Sequence, residues 1–266
     1  MNRSLLITLL ITLSLASLVA HAHDTWLQTN ANLVRVGDVV HVDLMLGNHG
    51  NDHRDFKLAG KASPQTIALN VIGPDGQSRD LKPSLTDLGY APKEGYHTAR
   101  LQTDQPGMYT IVQTSDAVVS YAPLRSIKSG KAFLVASKSL DKPPVDNPGF
   151  DRVLGHPLEL VPQTNPVTPM GPGTAITVRL LYKGKPLPDT RVSFIPRGHT
   201  LASGFDDKFE RKTDAGGDAT FEPTDGNYYL IVAHHADDDK GEGYDGTKYS
   251  ATIGLYVPAV CPCCGE

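Results

Sequence analysis

Short segments in which apolar and polar residues alternate, separated by glycine and proline turns, restrict the fold of this chain more than any other feature. Apolar residues occupy every second position in residues 40–46, 67–71 and 176–180. Side chains of a strand point alternately to its two faces, so this pattern predicts strands with one buried face. The 25 Gly and 20 Pro residues supply turns, and helix-period patterns are rare. The sequence therefore predicts an all-β chain.

A proline-rich polar segment at residues 141–157 divides the predicted strands into two groups. Such a composition is typical of a linker between domains. Residues 23–140 are predicted to form an immunoglobulin-like β-sandwich, because Asp104-Gln-Pro-Gly-Met-Tyr109 matches the corner at which a tyrosine hydroxyl bonds back to the backbone. Within this sandwich, residues 118–124 are a candidate strand. Residues 158–258 are predicted to form a second, smaller sandwich.

Composition excludes several classes of function. The formal net charge is −4 and no basic run is present, which argues against nucleic-acid binding and suits a protein that attracts cations. The motifs of serine hydrolases, zinc proteases and phosphate-binding loops are missing, so no enzyme is predicted. All three cysteines lie in a tail at residues 259–266, so disulfides cannot cross-link the core.

The first 22 residues have the pattern of a secretory signal peptide. Arg3 is followed by an apolar run at residues 5–19, and Ala20 and Ala22 form the small-x-small site at which signal peptidase cuts. The run is short for a membrane span, and no stop-transfer segment follows. The sequence therefore predicts a periplasmic protein that begins at His23 and has no transmembrane segment after cleavage.

A histidine at a free N-terminus has a specific metal chemistry. Its α-amino group, with a pKa of about 7.7 to 8.0, and its Nδ1 can chelate one transition-metal ion, and another imidazole completes this histidine brace. The brace needs a fixed terminus, and Trp26, the only tryptophan, is predicted to point inward from a strand at residues 25–28. The alternative interpretation is that His23 is merely solvated.

Histidines near the predicted strand ends are candidates for the remaining ligands. His49 and His53 lie in a loop rich in Gly, Asn and Asp after the strand at residues 39–46, and His97 lies in a later strand. His49 is the first choice as partner of His23. An ordinary surface turn has the same composition, so the alternative is a solvated loop.

The second half of the chain adds weaker candidates. His234 and His235 follow a predicted strand, and both can bind one ion only if the chain has already turned, because adjacent strand side chains point to opposite faces. Cys261, Cys263 and Cys264 are suited to a soft ion such as Cu(I) or Zn²⁺, or to one disulfide and one reactive thiol.

Several phrases of the sequence are similar to those of a known family. These are His23-Asp-Thr-Trp-Leu27, Leu158-Glu-Leu-Val-Pro-Gln-Thr-Asn-Pro166 and Gly184-Lys-Pro-Leu-Pro-Asp-Thr-Arg-Val192. Together they resemble the NikM-like family, periplasmic proteins of formally unknown function that are associated with nickel or cobalt uptake. The resemblance implies metal handling and carries onto His23 and His49 as ligands. The phrases of the second half also recur in carboxypeptidase-regulatory and transthyretin-like modules, which implies a sandwich of that kind.

Three functional hypotheses follow. The first is a periplasmic protein that binds a divalent transition metal, nickel, cobalt or copper, and assists its uptake or buffering, with a membrane transporter or outer-membrane receptor as partner. The second is a copper-dependent oxidase that uses the histidine brace on polysaccharide, although the low aromatic content of 7% gives little sign of a sugar-binding surface. The third is a metal-free interaction module for an outer-membrane receptor.

Overall fold

The computed structural model describes residues 24–47, 49, 64–89 and 94–260. Nearly all regular structure in these residues is β-strand, and two short 3-10 helices, Pro64–Thr66 and Lys82–Ser84, are the exceptions. The all-β prediction is confirmed. The strands are β1 Asp24–Thr29, β2 Leu33–Arg35, β3 Val39–Gly47, β4 Ile67–Ile72, β5 Ser78–Asp80, β6 Thr86–Asp87, β7 His97–Gln102, β8 Gly107–Val118, β9 Leu124–Ser137, β10 Leu158–Pro162, β11 Ile176–Tyr182, β12 Lys185–Pro186, β13 Arg191–Pro196, β14 Glu210–Lys212, β15 Asp218–Phe221, β16 Asn227–Asp237 and β17 Gly246–Val257.

The strands form three sheets. Sheet A has the order β1-β3-β7-β6, and sheet C has the order β10-β11-β12 with β15 also paired to β11. Sheet B has nine strands, in the order β14-β13-β16-β17-β9-β8-β4-β5, and β2 pairs with β9 beside them. Sheet B takes strands from both sides of residues 141–157, a segment that is described throughout and contains no strand.

The two parts of sheet B meet where β9 and β17 pair in parallel. Their register runs from Gly246 opposite Leu124 to Gly254 opposite Ala132. Residues 24–140, the N-terminal segment, and residues 158–258, the C-terminal segment, are therefore joined through backbone hydrogen bonds. Since these bonds run through the middle of a sheet, the two segments are parts of one continuous structure.

Two hydrophobic cores lie on opposite faces of sheet B. On β9, Phe133 and Val135 belong to the core shared with sheet C, and Leu134 and Ala136 belong to the core shared with sheet A. Alternation along a strand explains this division. The two predicted β-sandwiches are thus present, and they share their middle sheet.

Two local predictions are confirmed and one is wrong. The apolar positions of β3 are buried as the alternation predicts. The Tyr109 ring is buried, and its hydroxyl accepts hydrogen bonds from the backbone N–H groups of Asp104, at 3.1 Å, and Gln105, at 2.9 Å, as the corner motif predicts. Residues 118–124, the candidate strand, instead contain the turn between β8 and β9, because these strands form a long hairpin with Val118 opposite Arg125.

Candidate functional site

The first described strand, β1, begins next to the predicted metal-binding terminus. It pairs antiparallel with β3 from Asp24 opposite Gly47 to Thr29 opposite Val42, so the start of β1 lies beside the end of β3. Trp26 is 1% exposed and packs in a small apolar cluster with Met45 of β3 and residues of β13 and β16. The predicted anchoring role of Trp26 is consistent with this burial.

Hydrogen bonds also hold β1 against the middle of sheet B. Ser250 and Thr252 occupy alternate positions of β17 and so face the same side, toward sheet A. Ser250 Oγ donates to Asp24 Oδ1 at 3.0 Å, and Thr252 Oγ1 donates to the carbonyl oxygen of Thr25 at 2.9 Å. The first two residues of β1 are therefore bonded to a strand from the other end of the chain.

The next residue on this face of β17 is Gly254, and β1 passes directly over it. A Cβ atom at Gly254 would lie 1.8 Å from the carbonyl oxygen of Leu27, far inside van der Waals contact. Only glycine allows the two backbones to approach this closely. Ser250, Thr252 and Gly254 together form a seat of small residues for β1, called the β1 seat below.

A buried charge network surrounds the side chain of Asp24. The carboxylate is 8% exposed, and His234 Nε2 of β16 lies 2.9 Å from Oδ1. Lys128 of β9 is opposite Ser250 in the sheet register and adds a second positive charge. Burial raises the pKa of Asp24, but the charge and hydrogen bond of His234, with the charge of Lys128, outweigh burial and leave that pKa below its usual value. Asp24 is therefore held as a carboxylate.

The charge of Asp24 acts to raise the pKa of both cations, but the net pKa shifts of His234 and Lys128 have opposite signs. The charge of Asp24 raises the pKa of His234 although burial opposes this. Burial lowers the pKa of Lys128, and the charge of Asp24 only partly offsets that effect. His234 is the direct partner of Asp24, with half of its side chain exposed to solvent.

His49 is buried beside the start of β1. It is 1% exposed, and its Nδ1 lies 2.9 Å from the backbone carbonyl oxygen of Ile195 in β13. A carbonyl oxygen only accepts, so Nδ1 carries the hydrogen and the neutral ring has its lone pair on Nε2. The ring also meets the indole of Trp26 edge-on, with centroids 5.5 Å apart. This fixed tautomer is the one in which a histidine binds a metal through Nε2.

The backbone of His49 is also unusual. Its φ angle is +63°, in the left-handed region that residues other than glycine rarely adopt. Such backbone strain is found more often at binding and catalytic positions than elsewhere. The strain is compatible with a functional position, and the hydrogen bond to Ile195 is what holds the ring.

His97 lies farther along sheet A. It is opposite Leu44 of β3, three positions from Gly47, and it is 5% exposed. Alternation places it on the face of Leu44, which is the opposite face from that of Trp26 and Met45. His97 is thus near the same end of sheet A as His49, but it is not on the face against which His49 packs.

His234 and His235 are not brought together. Both lie within β16, so the chain has not turned and their side chains point to opposite faces. His234 faces Asp24, whereas the ring of His235 packs on Tyr182 with centroids 4.3 Å apart. A single metal ion shared by these two histidines does not fit this arrangement.

The other predicted ligands, His23, His53, Cys261, Cys263 and Cys264, lie outside the described residues. Among the residues that are described, no group of three or more His, Cys, Asp or Glu side chains is arranged to hold a metal ion. Within the same part of the chain, no helix has the length and apolar character needed to span a membrane.

Sequence reasoning missed the partners of Asp24. Its two hydrogen-bond partners, His234 and Ser250, are 210 and 226 residues away in the chain. Asp24 itself carried a signal, because it lies between His23 and the predicted strand at residues 25–28. No local pattern marks Ser250, so its role emerges only from the packing of β1 on β17.

The fold and the surroundings of Asp24 define a class: an all-β protein in which two sandwiches share a sheet and a buried carboxylate fixes the first strand. The chain belongs to the family described as a domain of unknown function, DUF4198, whose model matches residues 20–237. No curated protein matches the chain significantly. Membership in a family without an established function agrees with that part of the resemblance, and the association with nickel or cobalt stays a prediction.

Several solved structures are distantly similar. The D0-D1 domain of intimin matches with a TM-score of 0.23 and 12% identity, over 88% of this chain and 98% of that chain. The Yersinia pseudotuberculosis adhesin InvE matches with a TM-score of 0.22 and 16% identity, over 87% of this chain and 58% of that one. The ectodomain of mouse nectin-like molecule 4 has a TM-score of 0.22 and 12% identity, over 89% and 65% of the two chains. Scores this low carry no argument about function.

Proposed function

We propose that this chain is an exported transition-metal-binding protein, cleaved before His23, that captures a nickel, cobalt or copper ion through an N-terminal histidine site. Its role is uptake or buffering of the metal in the periplasm. The observation that carries the proposal is the buried His49 ring, whose Nδ1–H bond to the Ile195 carbonyl fixes the tautomer that has its lone pair on Nε2. This ring lies beside the end of β3, next to the start of β1.

The proposed chelating residue is His23, and the anchoring of its neighbour supports the role. His23 directly precedes Asp24 in the chain, and the carboxylate of Asp24 is bonded to both His234 and Ser250. Consecutive Cα atoms are about 3.8 Å apart, so the anchored residue is the immediate neighbour of the proposed chelating residue. A terminal chelate requires a main chain that does not fray, and the bonds of Asp24 and Thr25 to sheet B provide that restraint. The amino group and Nδ1 of His23 would bind the ion from one residue.

His49 is the proposed second ligand. Metal-binding histidines usually donate their other ring N–H to a carboxylate or a backbone carbonyl, which fixes the tautomer and the ring orientation. The Nδ1–H donated to the Ile195 carbonyl at 2.9 Å is a bond of this kind. The neighbouring indole of Trp26 limits rotation of the ring.

The donor set argues for a class of metal. An amine and two imidazole nitrogens suit Ni²⁺, Co²⁺ and Cu²⁺, and Cu²⁺ has the highest intrinsic affinity of the three. The net charge of −4 favours attraction of cations. The resemblance to the NikM-like family adds nickel and cobalt as the expected physiological ions and a membrane transporter or receptor as the expected partner.

The test uses mature protein isolated from the periplasm without a tag. Intact mass establishes whether His23 is the first residue, and competition titrations with Ni²⁺, Co²⁺ and Cu²⁺ give the affinities. We expect one ion per chain, and we expect His49→Ala to weaken binding by at least about tenfold. The matched control is His41→Ala, an exposed histidine of β3, which should leave the affinity unchanged.

Two further results decide between the hypotheses. One alanine added before His23 moves the amino group away from its own imidazole and should weaken binding at least as much as His49→Ala. Protein that begins at His23 and takes up none of the three ions would contradict the proposal and favour the metal-free interaction module. Oxidised oligosaccharides from copper-loaded, reduced protein incubated with chitin or cellulose would favour the oxidase instead.

A further inference from the structure

We infer that Asp24, His234 and Ser250 form a latch through which the C-terminal segment positions the N-terminal metal site, with His234 a positioning residue and not a ligand. This inference rests on the proposed function, because the site being positioned is the one that contains His23. It reassigns His234, which the sequence offered as a candidate ligand, and it makes metal affinity depend on residues more than 200 positions away.

The first step is the convergence of bonds on one carboxylate oxygen. His234 Nε2 lies 2.9 Å and Ser250 Oγ 3.0 Å from Oδ1 of Asp24. A carboxylate oxygen only accepts, so His234 donates its Nε2–H. Charge-assisted hydrogen bonds of this kind are about twice as strong as neutral ones. Asp24 is thereby held in one position relative to both β16 and β17.

The second step is the path of the backbone beyond Asp24. Within the β1 seat, Thr252 and Gly254 contact the residues of β1 that follow Asp24. Thr252 Oγ1 donates to the carbonyl oxygen of Thr25, and Gly254 packs against the carbonyl oxygen of Leu27. The latch is therefore the first of three successive contacts along β17. Of the three contacts, the latch is the one nearest to His23 in the chain, so it restrains the residue that directly follows the proposed chelating residue.

The third step separates positioning from ligation. Nε2 of His234 is committed to Asp24, so a metal on this ring would have to bind Nδ1. In that rival arrangement His234 adds an imidazole nitrogen to the metal, and its removal changes the coordination. In the latch arrangement its removal loosens Asp24 and lowers affinity, but it leaves the bound ion with the same donors.

The experiment measures Cu²⁺ affinity and the electron paramagnetic resonance spectrum of mature full-length protein. We expect His234→Ala and Asp24→Asn each to weaken Cu²⁺ binding about tenfold, the size typical of losing a supporting contact. The double variant should bind Cu²⁺ no more weakly than the weaker-binding single variant, because each change removes the charge-assisted interaction between the same two side chains. At saturation, each spectrum should show the same number of coupled nitrogens as the unmodified protein.

Two more variants provide a rescue and a control. His234→Gln retains an N–H donor and should bind Cu²⁺ more tightly than His234→Ala, which also covers the case in which the alanine variant folds poorly. His235→Ala changes the next residue of β16, whose ring packs on Tyr182 on the opposite face, and should leave affinity and spectrum unchanged.

The remaining outcomes would contradict the latch, the proposed function, or both. A spectrum that loses one imidazole nitrogen in His234→Ala would make His234 a ligand. Unchanged affinity in both His234→Ala and Asp24→Asn, with normal binding by the unmodified protein, would overturn the latch and leave the proposed function standing. Absence of Cu²⁺ binding by unmodified protein that begins at His23 would overturn both.

Discussion

On each face of sheet B, an ion pair joins the N-terminal segment to the C-terminal segment. Lys131 of β9 and Glu159 of β10 are 2.6 Å apart on the face toward sheet C, and their side chains are 3% and 1% exposed. His234 of β16 and Asp24 of β1 are 2.9 Å apart on the face toward sheet A, and their side chains are 51% and 8% exposed. The first pair is sealed from water, and the second is open to water on the histidine side.

The two ion pairs differ in the part of the chain that each carboxylate fixes in place. The carboxylate of Glu159 accepts hydrogen bonds from three backbone N–H groups, those of Leu154, Gly155 and His156. These bonds hold the backbone at the end of the segment of residues 141–157. Asp24 holds the first residues of the chain that the structure describes. A pair sealed from water stabilises one arrangement of the two segments, whereas a pair open to solvent on one side lies where the proposed metal ion would approach. The first pair therefore has a structural role, and the second pair has the supporting role in metal binding that we propose above.

The largest effect is expected from Lys131→Ala. Removing Lys131 leaves the Glu159 charge buried without its cation, which should lower the free energy of unfolding by about 3–5 kcal/mol. Urea unfolding measures the change, and Lys138→Ala, an exposed lysine just after β9, is the control. The double variant Lys131→Met, Glu159→Gln should recover much of the loss. If Lys131→Ala lowers the free energy of unfolding by less than about 1 kcal/mol, the buried Lys131–Glu159 pair contributes no more than an ordinary surface ion pair.

An intermediate effect is expected from Gly254→Ala. The added Cβ meets the Leu27 carbonyl oxygen at 1.8 Å, so β1 must move away from its seat. We expect a loss of about 1–3 kcal/mol in the free energy of unfolding, together with weaker metal binding. Gly246→Ala is the matched control on the same strand, where the nearest atom would be 3.4 Å away. If the two alanine variants unfold alike, the close approach of β1 to β17 is not a constraint on the protein.

The smallest effect is expected from a mild decrease in pH, and its sign follows from Glu159 and His156. Burial raises the pKa of Glu159, but the charge and hydrogen bond of Lys131 outweigh burial and leave the pKa below its usual 4.5. Stability from this group is therefore present above about pH 4.5 and is lost as the pH falls through the folded-state pKa. Burial lowers the pKa of His156 below 6.5, so proton uptake by the unfolded chain also reduces stability below that pH.

Urea unfolding between about pH 7 and pH 3 checks this prediction. Stability should fall slightly down to about pH 5 and more steeply below about pH 4.5, where Glu159 begins to be protonated in the unfolded chain but stays ionised in the folded protein. Glu159→Gln should flatten the steep part of the curve, whereas Glu222→Gln, an exposed residue after β15, should not. A curve that keeps its steep part in Glu159→Gln would assign the acid sensitivity to other carboxylates.

Much of the fold was predictable because the information is local. The alternation of β3 predicted its buried face, the corner motif predicted the bonds of the Tyr109 hydroxyl, and Trp26 was correctly predicted to be buried. Each of these features depends on a few neighbouring residues and on the two-residue period of a strand. The start of β9 was not predicted, because Arg125 and Lys128 form a short basic interval to which the sequence pattern assigns no element.

The candidate site was predictable only in part. The sequence singled out His49 by its place after a strand, but its tautomer depends on Ile195, a residue 146 positions away. It offered His234 as a ligand because the residue is a histidine beside acidic residues. The structure instead directs this ring to Asp24, because strand β16 continues through His234 and the side chain takes the face toward sheet A.

The sequence by itself determined that this chain is all-β and where most of its strands lie, and it raised the hypothesis of a metal-binding histidine after a signal-peptide cleavage site. These properties follow from contiguous residues, and no distant contact is needed to infer them. Only the tertiary structure decided that the two sandwiches share one sheet and that Asp24 is held by His234 and Ser250. Those outcomes depend on which strands pair in parallel and on Gly254 allowing β1 to lie against β17. The sequence does not decide them, because an alternation of period two is the same whichever strand is the partner.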